Sequence, residues 1–307
     1  MFSVAHLSDL HATPVRPDGL QSLLNKRFFG WLSWNVRRKQ VYRGDILAAS
    51  IDDLRETKPD QVVVTGDLTN IGLESEFEAA RSWLARIGDP DRVFAIPGNH
   101  DTYVAIDRDR SLAHWTEYLE SDRSPGASPG DIADVDYPTV RRRGPVAFVG
   151  VCSAHPTPLF KAGGTVGTAQ LERLEALLTE LADSDACRVV LIHHPVTDGA
   201  TSPRRSLSDA DAFRAVLRRT GADLVLHGHN HRSQFFQVPG PDGPIPVVGV
   251  RSASNCGNNP EKRAHYHLYD VEAAPRDAPG PRFRVSVRAR GYDPGTRRFA
   301  SEGERVL

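Results

Sequence analysis

Five short polar motifs carry the residues of this chain that are able to do chemistry. They are Ser8-Asp9-Leu10-His11, Gly66-Asp67, Gly98-Asn99-His100-Asp101, His193-His194-Pro195 and Gly228-His229-Asn230-His231. Carboxylate, imidazole and amide groups are oxygen and nitrogen donors that suit divalent Mn, Fe, Zn or Co rather than a soft thiolate metal. Asp9 and His11 lie two apart, as do His229 and His231, so both members of each pair can point to one side of an extended strand exit. Glycines at 66, 98 and 228 allow tight turns and close approach of the backbone to a bound ion. A donor set this large exceeds one tetrahedral ion. It fits two ions about 3.5–4 Å apart with one carboxylate shared between them. Taken singly, each motif has a plainer meaning. Asp9 or Asp67 alone is a turn or helix-cap residue, Gly98-Asn99 alone is a turn, and one histidine at a strand end is a hydrogen-bonded structural group.

The elements around the motifs give them their force. Phe2–Leu7, Gln61–Val64, Arg92–Ile96, Val146–Val151, Arg188–Ile192 and Asp223–Leu226 are short Val/Ile-rich runs that read as buried strands. Gly44–Thr57, Glu74–Ile87, Asp107–Leu119, Ala169–Leu181 and Asp209–Arg219 have apolar residues at helical spacing, with Thr168 and Ser208 as expected N-caps of the last two. Each polar motif directly follows one of the buried strands. The carboxyl ends of strands in an open α/β sheet form the ligand crevice, so the topology converges the five motifs. After His231 the helices stop. Ser233–Val238, Ile245–Val250, Ala264–Val271 and Arg282–Arg290 read as antiparallel strands (233–307) packed on the same core, within a single domain over 1–307. Ser121–Tyr137, rich in Ser, Pro, Gly and Asp, reads as a long surface loop.

The order Asp-x-His, Gly-Asp, Gly-Asn-His-Asp, His, Gly-His-x-His resembles the calcineurin-like metallophosphoesterases, over Phe2 to about His231. The resemblance implies an α/β fold in the form of a four-layer α/β/β/α sandwich, with two metals at the carboxyl ends of the strands. It implies that Asp9, His11 and His231 hold one ion together with Asp67. It places Asn99, His193 and His229 on the other, with Asp67 as the bridge. His193 is chosen over His194 because the first His of the family's His-x-Pro pattern ligates; His194 is left as a neighbour of the ligands or a substrate contact. A water activated between the ions would attack phosphorus in line. His100 would serve the leaving group as acid or electrostatic partner, and Asp101 is expected to fix its tautomer. The variants of the third and fifth motifs resemble the branch of class III cyclic-nucleotide phosphodiesterases and glycerophosphodiesterases, which implies a phosphodiester substrate.

Composition bounds the rest. The chain has 307 residues with a formal net charge of -1, so no global field favours nucleic acid, and no recognition motif for it appears. Cys152, Cys187 and Cys256 are scattered, which argues against a disulfide framework or a thiolate zinc site and for a reducing compartment. The expected location is the cytoplasm, since no signal-peptide pattern opens the sequence and no apolar run approaches the ~20 residues of a membrane span. His6, His114, His155, His265 and His267 read as core or surface residues, and His227 as the end of its strand.

The substrate is addressed by the stretch 16–43. It carries Arg16, Lys26, Arg27, Arg37, Arg38, Lys39 and Arg43 against Asp18 alone, a net charge of +6. Leu20, Leu24, Phe28, Leu32 and Val36 recur at i+4, flanked by Leu23, Phe29, Trp31 and Trp34. Two readings stand. One is a cap packed on the core, its basic face solvated or guiding anionic substrate. The other is a basic aromatic helix in peripheral contact with an anionic membrane, which would favour a lipid or nucleotide-linked lipid phosphodiester over a small soluble one. A non-catalytic metal-binding scaffold is the alternative from a different class, and the intact motif set argues against it.

Overall fold

The structure, a computed structural model, describes residues 1–122, 135–257, 259–274 and 280–307. Two six-stranded sheets face each other. The first has the order β12-β11-β10-β1-β2-β3, where β1 is Phe2–Leu7, β2 Gln61–Val64, β3 Val93–Ala95, β10 His265–Ala273, β11 Phe283–Asp293 and β12 Arg298–Val306. The second has the order β4-β5-β6-β7-β9-β8, where β4 is Thr139–Arg143, β5 Val146–Gly150, β6 Cys187–Leu191, β7 Leu224–His227, β8 Gln234–Pro239 and β9 Pro244–Gly249. β1, β2 and β3 run parallel in one sheet, and β5, β6, β7 and β9 run parallel in the other.

Alternation of side chains along these strands builds three layers of core. Val4, Val63 and Phe94 of the first sheet meet Phe148, Val189 and Leu226 of the second. The neighbouring positions point outward: Ala5, Val64 and Ala95 pack under helices α3 (Gly44–Thr57) and α4 (Glu74–Ile87). Val149, Val190 and Val225 pack under α6 (Thr168–Ala182) and α7 (Ala210–Thr220). The result is the four-layer α/β/β/α sandwich, and both faces of each central strand are buried, which is why they read as continuous apolar runs.

The strands after His231 complete both sheets. β9 extends the parallel set beside β7, and β10 pairs antiparallel with β1. The helix expected over Asp107–Leu119 is instead two 3₁₀ turns, Arg108–Arg110 and Leu112–Trp115, and a short helix α5, Thr116–Leu119. Ser111 breaks it: its hydroxyl donates to the Asp107 carbonyl at 2.8 Å and its φ, ψ of −140°, −111° leave the helical region. The expected caps also shift by one residue. Thr168 is the first helical residue after Gly167, and Asp209 rather than Ser208 precedes α7, its carboxylate accepting N–H bonds from Val166 and Gly167. Residues 123–134 of the loop expected over Ser121–Tyr137 lie outside the described residues.

The 16–43 stretch is not one helix. It is a 3₁₀ turn Leu20–Leu23, helix α1 (Arg27–Ser33), a π-turn Trp34–Arg38 and a helical turn α2 (Lys39–Val41). Leu23, Gly30 and Trp34 face inward, and Arg27 donates to the Ile71 and Gly72 carbonyls, so this cap is fastened to the loop that follows Asp67. Among the described residues no helix is long and apolar enough to cross a membrane.

Candidate metal centre

All five motifs arrive at one edge, where the carboxyl ends of β1, β2, β3, β6 and β7 meet across the two sheets. The donor atoms of Asp9, His11, Asp67 and His231 all lie within 4.8 Å of one another, as do those of Asp67, His193 and His229. Asp67 belongs to both groups: its Oδ2 is 3.6 Å from His11 Nε2 and 3.4 Å from His193 Nε2. Asn99 joins the second group through Oδ1, 2.8 Å from His229 Nδ1 and 3.1 Å from His193 Nε2.

Backbone carbonyls set which ring nitrogen faces the centre. A carbonyl only accepts, so the nitrogen against it carries the proton. His11 donates from Nδ1 to Thr69 O at 2.8 Å, and His193 from Nδ1 to Thr65 O at 2.7 Å. His229 donates from Nε2 to Arg205 O at 3.0 Å. In the neutral ring each opposite nitrogen is a lone pair aimed inward, the arrangement in which outer partners orient histidine ligands for a cation. Asp9 Oδ1 is fully buried yet accepts no well-formed hydrogen bond, with His231 Nε2 at 3.1 Å. Imidazoles, two buried carboxylates and an unsatisfied carboxylate oxygen make a donor set that fits divalent cations.

The charges agree. Burial alone would raise Asp67, but His193, His100 and His11 hold its carboxyl well below the usual range. Burial likewise opposes the ionisation of Asp9, and His231 and His193 outweigh it to bring the group to about 2. Burial pushes His11 and His229 well down, so both are neutral. His193 goes the other way: burial lowers it, and the charges of Asp67 and Asp9 raise it on balance to about 9.

Backbone conformation adds a signature. Asp9, His11, Asp67, His229 and His231 have φ of 53°, 43°, 57°, 69° and 51°. Non-glycine residues avoid this left-handed region, and clusters of them mark functional sites. The glycines serve close approach as well as turning. Gly66 has φ of 88°. A Cβ on Gly98 would stand 2.3 Å from Asp67 Oδ1, and one on Gly228 would stand 1.8 Å from Ser8 Oγ and 2.7 Å from Asp9 Oδ2.

A calcineurin-like phosphoesterase family model matches residues 2–233, the span that carries every one of these groups. The chain belongs to that family. This phosphoesterase is accordingly a metal-dependent phosphoric ester hydrolase, of a family that uses divalent metals. It is 33% identical over 247 residues to the glycerophosphodiester phosphodiesterase GpdQ of Enterobacter lignolyticus, covering 76% of this chain and 72% of that one. It is 28% identical over 227 residues to a probable cyclic nucleotide phosphodiesterase of Synechococcus sp., covering 73% of this chain and 77% of that one. In fold it is similar to a dimetal phosphatase from Danio rerio, with a TM-score of 0.63 at 15% identity over 98% of each chain.

The structure of the phosphoesterase brings His193, not His194, into the cluster. His194 is held outside it, Nδ1 2.8 Å from Ser153 Oγ and Nε2 3.2 Å from Ala162 O. Burial lowers it to about 3. His100 stands beside the centre: its N–H donates to Asp67 Oδ1 at 2.7 Å, its ring is edge-on to His11 at 4.8 Å, and burial lowers it to about 4.

Asp101 corrects an expectation. Its carboxylate does not orient His100, whose Nδ1 is held by the Asn70 carbonyl. It accepts instead from the backbone N–H groups of Gly98, Asp67, Leu68 and Thr69 and from the Thr69 hydroxyl. Asp101 is thus a positioning residue that pins the Asp67 loop to the Gly98 loop. Burial, then the charge of Asp67, push it up to about 7, against the pull of those donors.

Four contributors were invisible in the motifs. An Arg38 guanidinium nitrogen lies 3.3 Å from His11 Nδ1, and the Tyr42 hydroxyl is 3.2 Å from His231 Nδ1. Tyr103 stacks on His100 with centroids 5.6 Å apart, and Lys26 Nζ sits 4.4 Å from the Tyr103 ring centre. The charge count placed Lys26 and Arg38 in the basic 16–43 stretch, but nothing in the sequence turned them toward the site.

Proposed function

We propose that this phosphoesterase hydrolyses a phosphodiester at a two-cation centre. Asp9, His11 and His231 hold one ion, Asn99, His193 and His229 hold the other, and Asp67 bridges them. The observation that carries this reading is the Asp67 carboxylate, whose ligand atom is common to both donor groups. Divalent ions bound there would supply Lewis-acid activation of water and charge compensation at the phosphoryl oxygens.

The chain's own residues do the rest. Asp67 and Asp9 fix the spacing of the two donor groups. His100, with Nδ1 committed to Asn70, has Nε2 left for the leaving oxygen; it serves that oxygen as an acid only as the doubly protonated ring, a form that burial opposes and the charge of Asp67 favours. Arg38 brings a fixed positive charge to the rim, where an anionic ester approaches. Both similar curated proteins are named for phosphodiesters, which supports that substrate class over a monoester. A lipid-borne diester is a second reading, favoured by one observation: Phe28, Phe29 and Leu32 are exposed on the cap whose Arg38 reaches His11.

The test is turnover of bis(p-nitrophenyl) phosphate with metal analysis of the same sample, followed by a panel of cyclic nucleotides, glycerophosphodiesters and phospholipids with added Mn²⁺. Two ions per chain and diester turnover are expected. One ion per chain at full activity refutes the two-cation centre, turnover of monoesters alone refutes the diester, and no turnover with metal bound turns the reading to a scaffold.

A further inference from the structure

The cap presents an apolar face with nothing on it. Leu20, Leu24, Phe28, Phe29, Leu32 and Val36 are all exposed, Leu24 by 81% and Val36 by 71%. The stripe at i+4 therefore points away from the core, while Leu23, Gly30 and Trp34 hold the opposite side down. A second, distant piece of chain joins this face. Leu159 and Phe160 are exposed, Phe160 by 72%, and the Phe160 ring lies 6.0 Å from that of Phe29. Phe160 also has φ of 63°, a backbone conformation that bulky residues avoid. Lys26 ties the two pieces together by donating to the Thr157 carbonyl at 2.7 Å. Eight of the eleven exposed large apolar side chains among the described residues lie on these two segments. Scattered exposure is ordinary, but concentration of this kind marks an interaction surface.

Charge selects the occupant. Arg37 and Lys39 are exposed beside the apolar stripe, Lys161 is exposed next to Phe160, and Asp18 is the sole acid of the whole 16–43 segment. A second copy of the chain docking face to face would set the +6 segment against itself. A surface that accepts large apolar side chains and carries a continuous negative charge is an anionic lipid bilayer. We infer that residues 20–39, with the 158–161 loop, form a docking surface for an anionic bilayer, into whose interfacial layer Leu24, Phe28, Phe29, Val36 and Phe160 insert. The same segment ends at the metal centre, through Arg38 against His11 and Tyr42 against His231, so docking holds the mouth of the site at the level of the lipid headgroups. Docking does not rest on the hydrolytic reading of the site.

The experiment is flotation of the full chain with vesicles of phosphatidylcholine alone and of phosphatidylcholine containing phosphatidylglycerol. The parent is expected to float with the anionic vesicles and to release as salt rises. Leu24→Ser/Val36→Ser/Phe160→Ser, chosen at highly exposed positions, is expected to lower the partition coefficient tenfold or more. Arg37→Gln/Lys39→Gln/Lys161→Gln is expected to lower it roughly a hundredfold, on about 1 kcal/mol per cation at the surface. Both variants should keep the parent's thermal midpoint and its turnover of bis(p-nitrophenyl) phosphate. A parent that stays unbound, or variants that float as well as the parent, overturn the docking surface. So does light scattering that shows a dimer in the parent and a monomer in the Ser variant, which would assign the face to a second copy. If the Ser variant loses thermal stability, the exposed cations decide alone: unchanged flotation of the Gln variant overturns the inference.

Discussion

The carboxylate of Asp101 accepts the backbone N–H of Asp67 at 2.9 Å. A residue of the third motif thereby sets the position of the residue common to both donor groups, through that residue's backbone rather than its carboxylate. Asp101→Ala leaves four backbone N–H groups, those of Gly98, Asp67, Leu68 and Thr69, without this acceptor. Orphaning buried donors costs about 1–3 kcal/mol each, and partial rescue by water brings the expected total to about 3 kcal/mol. The expected result is a clear fall in thermal midpoint together with weaker metal binding, read by calorimetry and metal titration. Asp101→Asn, which keeps one acceptor oxygen, should recover part of both. If Asp101→Ala left the midpoint unchanged, the pinning role would be wrong.

Asp67→Ala tests the bridge. Loss of the shared carboxylate should remove metal and activity together, because the two ions would face each other without the anion between them. Metal content is measured on protein dialysed against trace metal. Retention of two ions per chain with near-parental turnover rules the bridge out.

His100→Ala separates chemistry from metal binding. The variant should keep the parent's metal content and lose about 10²–10⁴ in kcat on an unactivated diester. On a nitrophenolate ester, whose leaving group needs little help, the loss should be smaller. Equal losses on both esters would mean that His100 does not serve the leaving group.

Gly228→Ala tests close packing. The φ of Gly228 is not left-handed, so the effect arises from the 1.8 Å approach to Ser8 Oγ and the 2.7 Å approach to Asp9 Oδ2. Overpacking of this kind costs roughly 1–3 kcal/mol and should displace Asp9. Metal affinity is expected to fall, and adding Ser8→Ala should restore part of it. Full affinity in the single variant would show that Asp9 does not need its present place.

The sequence and the structure agree where burial is two-sided. β1, β2, β5, β6 and β7 sit between neighbours on both faces, so Val63 or Val190 has nowhere polar to go and the run is visible by itself. β4 and β12 escaped because neither carries an apolar run. Thr-Val-Arg-Arg-Arg at 139–143 reads as a charged run, yet Arg141 is buried and its guanidinium serves the carbonyls of Pro90, Val93, Glu117 and Glu120. β12 exposes most of its side chains and has no apolar period to find. The donor motifs were legible because strand ends and glycines announce them. The partner of Asp101 was not, because adjacency to His100 in sequence says nothing about which way a carboxylate turns at a tight bend. Arg38 and Tyr42 are in the same position: periodicity fixes the face of a helix, not what that face meets 27 or 189 residues away.

The left-handed backbone at Asp9, His11, Asp67, His229 and His231 places stability and cation binding in competition. Glycine at any of these positions would relieve the conformation and delete a ligand in the same stroke. A lineage of this chain that no longer used metal would therefore drift toward glycine or asparagine here first, growing hardier as it lost its chemistry. All five positions carry a carboxylate or an imidazole where glycine would suit the backbone better, so the donor set is held at a conformational cost to the fold.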